Sequence, residues 1–282
     1  MSLNSPYVSF VQNLIDKIIK IVYDISMTKI ESIITLARHY CIKNYNYWSD
    51  KYTHEKSGKM YSDDDYNLFP RYNVLKAILQ GIETIINKQF DSVDDCKNEL
   101  KNIGQISQTI FTKNTTSKIA NNAMNDERNK FNDFIENMLE EDLYNVLPLP
   151  HNRKLSISES KEIYKGLKLN WNFEGFCWDH SRSKNEILFV MEKYLTDQDK
   201  DKIIDYILKY DKIFFEIDER KEDYETELLE INGCETIYTN FKFNWIIYIS
   251  HEMYIAFGGE LLLNYLKGLF SDRIEKINKY EL

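Results

Sequence analysis

The densest group of chemically reactive side chains in the sequence is the segment Cys177-Trp178-Asp179-His180. A cysteine and a histidine together can act as a nucleophile and its general base. The alternation of residue types from Trp171 to Cys177 predicts a strand that ends here, and sites are often built where a strand gives way to a loop. We therefore take Cys177, Asp179 and His180 as candidate catalytic residues, against the simpler interpretation that they form an ordinary polar loop.

A second candidate is the pair His251-Glu252, which the surrounding pattern places at the tip of a hairpin. A histidine beside a glutamate can exchange protons or bind a metal ion. If the two segments meet in space, His180 and His251 would share a metal with Asp179 or Glu252, as in a metal-dependent or Cys/His hydrolase. A polar turn is the simpler interpretation, because adjacent residues at a hairpin tip rarely point at one site.

Motifs of the common enzyme classes are missing from the sequence. It contains no H-E-x-x-H zinc spacing, no G-x-S-x-G serine elbow and no G-x-G-x-x-G or P-loop fingerprint. Gly258-Gly259 could present backbone N–H groups to an anion, but two glycines also suit a tight turn between a strand and a helix. We therefore expect no bound metal and no cofactor, and favour a protein that is not an enzyme.

Carboxylates are concentrated between residues 216 and 227. A solvated loop is the default interpretation of such a run, and a contact patch for a basic partner is the alternative. The candidate partner-binding residues are Glu216, Asp218, Glu219, Glu222 and Asp223. The net charge of −9, from 36 basic and 45 acidic residues, disfavours nucleic acid as a partner and permits a basic protein.

Apolar residues recur every three or four positions in the first half of the chain. This spacing predicts a helical bundle, with helices over about 6–25, 30–41, 70–86, 93–106 and 131–139 and an aromatic-rich loop at 44–69. The segment Pro148-Leu-Pro150 cannot continue a helix. We place the boundary between a helical domain, 1–147, and a second domain, 148–282, at this point.

The second half changes to a repeat of two residues, which is typical of strands. Strands are predicted over 171–177, 212–218, 237–249 and 253–257, and residues 186–191 fit a strand or a helix. The Asn232-Gly233 pair predicts a hairpin turn that joins 228–231 to the strand from Ile237. Helices are predicted after Thr196 and over 261–270. The fold class is α+β: a helical bundle followed by an antiparallel sheet with helices packed on one face.

The sequence favours an intracellular protein. Its longest apolar run is far shorter than the ~20 residues of a membrane span, and its start does not resemble a signal peptide. The four cysteines are widely spaced, which is typical of reduced thiols. We predict a cytoplasmic, bacterial-type interaction or immunity protein that masks a basic partner. The alternatives are the hydrolase near His180 and His251 and a self-associating structural or regulatory module, and the oligomeric state is left open.

Overall fold

The computed structural model describes residues 27–56, 65–113, 117–176, 178–179, 182–231 and 235–274. The chain divides into two compact units, the first ending at Leu149 and the second beginning at Pro150. The helix predicted over residues 6–25 lies outside the described residues.

Four long helices build the first unit. They are α1 (Lys29–Lys56), α2 (Asp65–Glu83), α3 (Val93–Ile106) and α4 (Lys118–Glu136). Short helical turns cover Ile110–Lys113 and Glu140–Leu143. The helices enclose an apolar core in which Ile33, Ile78, Leu100 and Phe131 are completely buried. This arrangement confirms the helical first half.

The loop predicted over residues 44–69 is wrong for the part that the structure describes, because α1 and α2 cover most of it. Its aromatic side chains pack between these two helices. The Tyr52 ring lies 5.9 Å from that of Phe69 and 5.6 Å from that of Tyr72. Pro70, predicted to open a helix, lies inside α2. Tyrosines break the apolar pattern in sequence, yet their rings pack as hydrophobic surface.

A seven-stranded antiparallel sheet forms the centre of the second unit. Its strands are β1 (Asn152–Lys154), β2 (Ile187–Met191), β3 (Phe214–Asp218), β4 (Tyr224–Thr226), β5 (Thr236–Thr239), β6 (Ile246–Ile249) and β7 (Tyr254–Gly258). Their order across the sheet is β1-β4-β3-β5-β6-β7-β2, and every neighbouring pair is antiparallel. Three helices accompany the sheet: α5 (Ile157–Trp171), α6 (Asp197–Tyr210) and α7 (Glu260–Leu269). The α+β class is confirmed.

Helices cover both faces of this sheet, so the prediction of helices on one face is wrong. On one face, Ile247 of β6 shares a core with Ile207 of α6 and Leu263 of α7. On the other face, Tyr248 of β6 shares a core with Leu167 of α5. All four residues of β6 are consequently buried, and strands covered on both sides lose the alternation of polar and apolar residues.

The strand predicted over residues 171–177 is wrong, because Trp171 is the last residue of α5. This helix begins with a capping box in which Ser156 and Glu159 satisfy each other's backbone N–H groups. It ends at Asn172, which takes the left-handed conformation with φ 54°. Alternating burial of Trp171 and Phe173 therefore marks a helix end and a chain reversal.

The single strand predicted over residues 237–249 is wrong as well. It is divided into β5 and β6, which pair with each other across a turn at residues 240–245. The predicted Asn232-Gly233 turn falls in 232–234, outside the described residues. Its expected partner strand at 228–231 is not a strand, and β5 pairs with β3 and β6 instead.

Several other local predictions are confirmed. Thr196 caps α6, its hydroxyl accepting a hydrogen bond from the backbone N–H of Asp199 at 3.2 Å. His251 and Glu252 form the tip of the β6–β7 hairpin. Residues 187–191 are a strand, and the terminal helix follows Gly259. No helix in the described ranges has both the length and the apolar character needed to cross a bilayer.

Candidate functional site

A cleft of about 710 Å³ opens at one end of the sheet in the second unit. It lies where the β5–β6 turn meets the last turns of α5 and α6 and the first turn of α7. Its walls include Trp171, Phe243 and Trp245, and its polar lining includes Asn170, Asn185, Asp211, Asn240, Lys242, Asn244 and Asn264. A concave surface with aromatic walls and a few polar groups is the usual form of a binding site.

The β5–β6 turn is built around Asn240. Its side-chain oxygen accepts hydrogen bonds from the backbone N–H groups of Lys242 and Asn244, both at 3.2 Å. Its amide nitrogen donates to the side-chain oxygen of Asn244 at 2.7 Å. Phe243 completes the reversal with φ 52°. Asparagine side chains commonly hold turns in this way, because they mimic a backbone group.

Both tryptophans of the cleft are fixed by hydrogen bonds of their indole nitrogens. Trp171 Nε1 donates to the carbonyl oxygen of Phe243 at 3.0 Å, and Trp245 Nε1 donates to Oδ2 of Asp211 at 2.8 Å. These bonds connect α5 to the turn and the turn to the end of α6. The aromatic walls are therefore held in place before any ligand arrives, which lowers the entropic cost of binding.

Gly259 allows α7 to start directly against the β5–β6 turn. Its φ is 114°, and a Cβ atom there would lie 2.5 Å from the carbonyl oxygen of Asn244. Only glycine fits both the backbone conformation and the close approach. The glycine pair noted in the sequence thus brings the start of α7 into the wall of the cleft.

Two exposed apolar side chains stand at the cleft. Tyr210 is 62% exposed and Leu261 is 69% exposed. Both lie among the lining residues, together with the exposed side chains of Glu260 and Lys242. Large apolar side chains that stay exposed around a concave polar site often mark a contact surface.

The opposite end of the sheet holds a buried carboxylate paired with an exposed histidine. Glu235 is 4% exposed and accepts hydrogen bonds from the hydroxyl of Tyr248 at 2.8 Å and the backbone N–H of His251 at 3.1 Å. The Nδ1 atom of His251 bonds to the same carboxylate, and Ser250 Oγ lies 3.5 Å from it. The His251 side chain is 55% exposed, so Nε2 is left toward solvent.

These contacts shift the pKa values of both members of the pair. Burial alone would raise the pKa of Glu235, but the hydrogen bonds from the backbone and ring of His251 and from Tyr248 lower it overall. The hydrogen bond to Glu235 raises the pKa of His251, and the nearby carboxylates of Glu252 and Glu219 add to the effect. The arrangement favours a protonated imidazole on an ionised glutamate.

The predicted acidic contact segment is only partly on the surface. Glu219 is exposed, whereas Asp218 is 6% and Asp223 is 3% exposed. Asp218 holds the β3–β4 turn, because its carboxylate accepts hydrogen bonds from the side chain of Arg220 at 2.9 Å and the backbone N–H of Glu222 at 3.2 Å. Both aspartates therefore have a structural role in the turn.

Glu216 is half-buried on β3, opposite Tyr238 of β5. Burial raises the pKa of Glu216 to about 7, with repulsion from Asp218 and Glu230 adding to it. Burial also raises the pKa of Asp223. Repulsion among these carboxylates, together with desolvation, reduces the negative charge that the segment presents at neutral pH.

The first group of candidate residues can be placed only in part, since Cys177 and His180 lie outside the described residues. Between them, Trp178 is 4% exposed and packs in the core, while Asp179 is exposed and pairs with Arg182 at 2.9 Å. No group of three His, Cys, Asp or Glu side chains in the described part of the chain could hold a metal ion.

Sequence reasoning missed the residues that matter most in both places. Glu235 follows the predicted Asn-Gly turn and carries no motif, so its pairing with His251 depends on β5 and β6 being neighbours. The sequence gives no motif for Asp211 or Asn240. The signal that could have found them is their residue type, because aspartate and asparagine are typical of turns and helix ends. The alternation of residue types predicts strands at the two tryptophans and gives no sign of a cleft.

Comparison of the chain with protein-family models, with curated proteins and with solved structures found no match. The class that the fold and the site define is an α+β protein with a preformed cleft at one end of its sheet.

Proposed function

We propose that this is a protein-binding protein, of the bacterial interaction or immunity type, whose second unit holds a segment of a basic partner in the cleft. The observation that carries the proposal is a cleft whose backing, the buried indoles of Trp171 and Trp245, is fixed by hydrogen bonds, with Tyr210 and Leu261 exposed beside it. Aromatic anchors in a preformed concavity, surrounded by polar groups, are typical of the energetic centre of an interface. The cytoplasm remains the expected location, and nucleic acid is not expected as a partner.

The polar lining supports a peptide as the bound segment. Asn170, Asn185, Asn244 and Asn264 line the cleft. Each asparagine amide offers both a donor and an acceptor, which matches the N–H and C=O groups of a peptide backbone. A cleft lined by amides and carboxylates suits a peptide segment better than it suits a phosphate, which the carboxylates would repel.

Charge supports a basic partner. Among the described residues, the cleft contains the carboxylates of Glu186, Asp211 and Glu260 and one cationic side chain, that of Lys242. Glu186 is paired with Lys267 at 2.7 Å outside the lining. The net charge of −9 adds a long-range attraction for basic molecules, which speeds encounter and is screened by salt.

Selection from a displayed library of random twelve-residue peptides against the full-length protein tests the proposal. We expect selected peptides to be rich in lysine and arginine, and to lose at least tenfold in affinity with Leu261→Arg. Ile157→Arg is the matched control, because Ile157 is an exposed aliphatic residue at the far end of α5, about 20 Å away along the helix axis. Its affinity should stay within twofold.

Two results would contradict the proposal. One is that no peptide is retained. The other is that retained peptides bind Leu261→Arg as tightly as the unmodified protein, or bind with equal affinity at ~20 mM and ~150 mM salt, where screening of charge differs strongly.

The Glu235–His251 pair supports a second candidate function, acid–base catalysis. A buried carboxylate that bonds one ring nitrogen of a histidine orients the other nitrogen for proton transfer. A hydrolase would cleave a chromogenic ester faster than buffered imidazole does, and both His251→Ala and Glu235→Gln would abolish the excess. Equal rates for the three proteins would exclude this function.

A further inference from the structure

One oxygen of the Asp211 carboxylate is fixed by the protein and the other is left for a ligand. Oδ2 accepts hydrogen bonds from Trp245 Nε1 at 2.8 Å and from Asn240 Nδ2 at 3.0 Å. Among the described residues, none donates a hydrogen bond to Oδ1 or forms an ion pair with it. Asp211 is half-buried and is one of the residues that line the cleft.

The position of Asp211 at the end of a helix favours a cation beside it. Asp211 is the C-cap residue of α6, and its backbone N–H closes the last turn on the carbonyl oxygen of Ile207 at 2.9 Å. The carboxyl end of a helix carries a partial negative charge that adds to the charge of the side chain. Lys209 is close to Asp211 in sequence, and Lys242 lines the same cleft. Neither lysine forms an ion pair with Asp211 in the described structure.

The surroundings of the carboxylate fit a long aliphatic stem. Tyr210 precedes Asp211 at the end of α6, and Leu261, in the first turn of α7, lines the same cleft. Both are largely exposed. A lysine buries its four methylene groups along such apolar surface while the ammonium group reaches a polar partner. An arginine binds carboxylates best through two parallel hydrogen bonds, which require both oxygens.

We propose that Asp211 is the recognition residue for a lysine side chain of the partner, held with its ammonium group on Oδ1 and its stem between Tyr210 and Leu261. This inference rests on the proposed function, since it names the partner side chain that the same cleft takes. It makes Asp211 a ligand-contacting residue and Trp245 and Asn240 its positioning residues.

The test is a nuclear magnetic resonance titration of the ¹⁵N-labelled full-length protein with Nα-acetyl-lysine methylamide. The readout is the indole N–H signal of Trp245, assigned by its loss in Trp245→Phe. We expect a saturable shift in the roughly millimolar range that suits a ligand of this size. The Nε-acetylated lysine and norleucine analogues, which lack the ammonium charge, should bind at least tenfold more weakly, and the arginine analogue should bind more weakly than lysine.

Asp211→Asn supplies the decisive variant, because asparagine keeps the shape and can still accept the indole hydrogen bond. It should weaken lysine binding at least tenfold, while Glu162→Gln, which removes an exposed carboxylate outside the cleft, should stay within twofold. An unchanged melting temperature and amide spectrum would show that Asp211→Asn remains folded. If the fold is disturbed, the comparison of lysine with norleucine in the unmodified protein decides the question.

The results separate this inference from the proposed function. Equal shifts with lysine and norleucine, or full lysine binding by Asp211→Asn, would overturn the lysine subsite even if selected peptides still bind in a Leu261-dependent way. Binding of lysine that depends on Asp211, with no peptide retained from the library, would support the subsite and contradict the protein-binding function.

Discussion

The carboxylate of Glu235, the residue just before β5, accepts a hydrogen bond from the ring of His251 at the tip of the β6–β7 hairpin. Glu235 is buried and has a positive φ of 46°, whereas His251 is largely exposed. The same carboxylate also accepts from Tyr248 and from the backbone of His251. One side chain therefore ties the hairpin tip to the neighbouring strand.

Replacing Glu235 with alanine should destabilise the protein by about 1–3 kcal/mol, because the buried hydroxyl of Tyr248 and the backbone N–H of His251 would lose their acceptor. Chemical denaturation at pH 6 measures this change. Glu252→Ala is the matched control, since Glu252 is an exposed carboxylate on the same hairpin tip, and it should stay within about 0.5 kcal/mol. Equal effects of the two substitutions would contradict the structural role of Glu235.

The Glu235–His251 pair should stabilise the fold most between about pH 4.5 and pH 6.5. The pKa of His251 is raised in the folded state, so its contribution is complete below 6.5 and is lost as the pH rises through the folded value. The pKa of Glu235 is lowered, so its contribution is present above 4.5 and is lost as the pH falls through the folded value.

Proton resonances of the His251 ring, followed against pH, would check the sign of this shift. The midpoint should lie above 6.5 in the unmodified protein and should fall in Glu235→Gln. A midpoint that is the same in both proteins would show that the hydrogen bond does not control the titration.

Glu216 should make the protein less stable as the pH rises from about 4.5 to about 7. Burial raises the pKa of Glu216 to about 7 in the folded state, so the unfolded chain loses its proton first. Glu216→Gln should remove this dependence and stabilise the protein at pH 8 by up to about 3 kcal/mol. Urea unfolding across this pH range measures the change in the free energy of unfolding. The exposed Glu219 provides a control, because Glu219→Gln should leave the pH dependence unchanged.

Gly259→Ala should destabilise the second unit by about 2 kcal/mol or more, since it combines an unfavourable φ with a clash against Asn244 and Trp245. Gly268→Ala is the matched control. It lies in the same helix with open space around it and should gain up to about 1 kcal/mol from better helix propensity. The melting temperatures of the two variants should shift in opposite directions. An unchanged melting temperature for Gly259→Ala would show that the backbone there tolerates a side chain.

The fold class was predictable because it depends on local periodicity. The sequence predicts the helix cap at Thr196 and the strand around Phe214 correctly, since each depends on a few neighbouring residues. The predictions of secondary structure are wrong where contacts between residues distant in sequence determine the local conformation. The sequence predicts a strand at Trp171 because apolar residues alternate with polar ones there. In the structure Trp171 ends α5, and it is buried because it packs against the sheet.

The candidate site was less predictable than the fold. Asp211 accepts hydrogen bonds from Asn240 and Trp245, although the end of α6 and the β5–β6 turn are well separated in sequence. No spacing rule joins such residues, because the sheet order brings them together. The acidic segment is partly internal for a related reason: Asp218 and Asp223 are polar in sequence, but in the turn their carboxylates accept hydrogen bonds from backbone and guanidinium groups. Whether Glu219 and Glu222 contact a partner stays a prediction.

The order of strands across the sheet constrains how the chain can assemble on the ribosome. The two outer strands, β1 and β2, are the first two to be synthesised, and in the described sheet β2 pairs with β7 alone. Ile187 must therefore wait until Gly258 has left the exit tunnel before it finds its partner. The helices of the first unit rely on contacts closer in sequence, which form faster. Translation should thus release a structured leading half while the trailing half is still open, and a nascent chain stopped before residue 254 should expose the apolar strand Ile187–Met191 to chaperones.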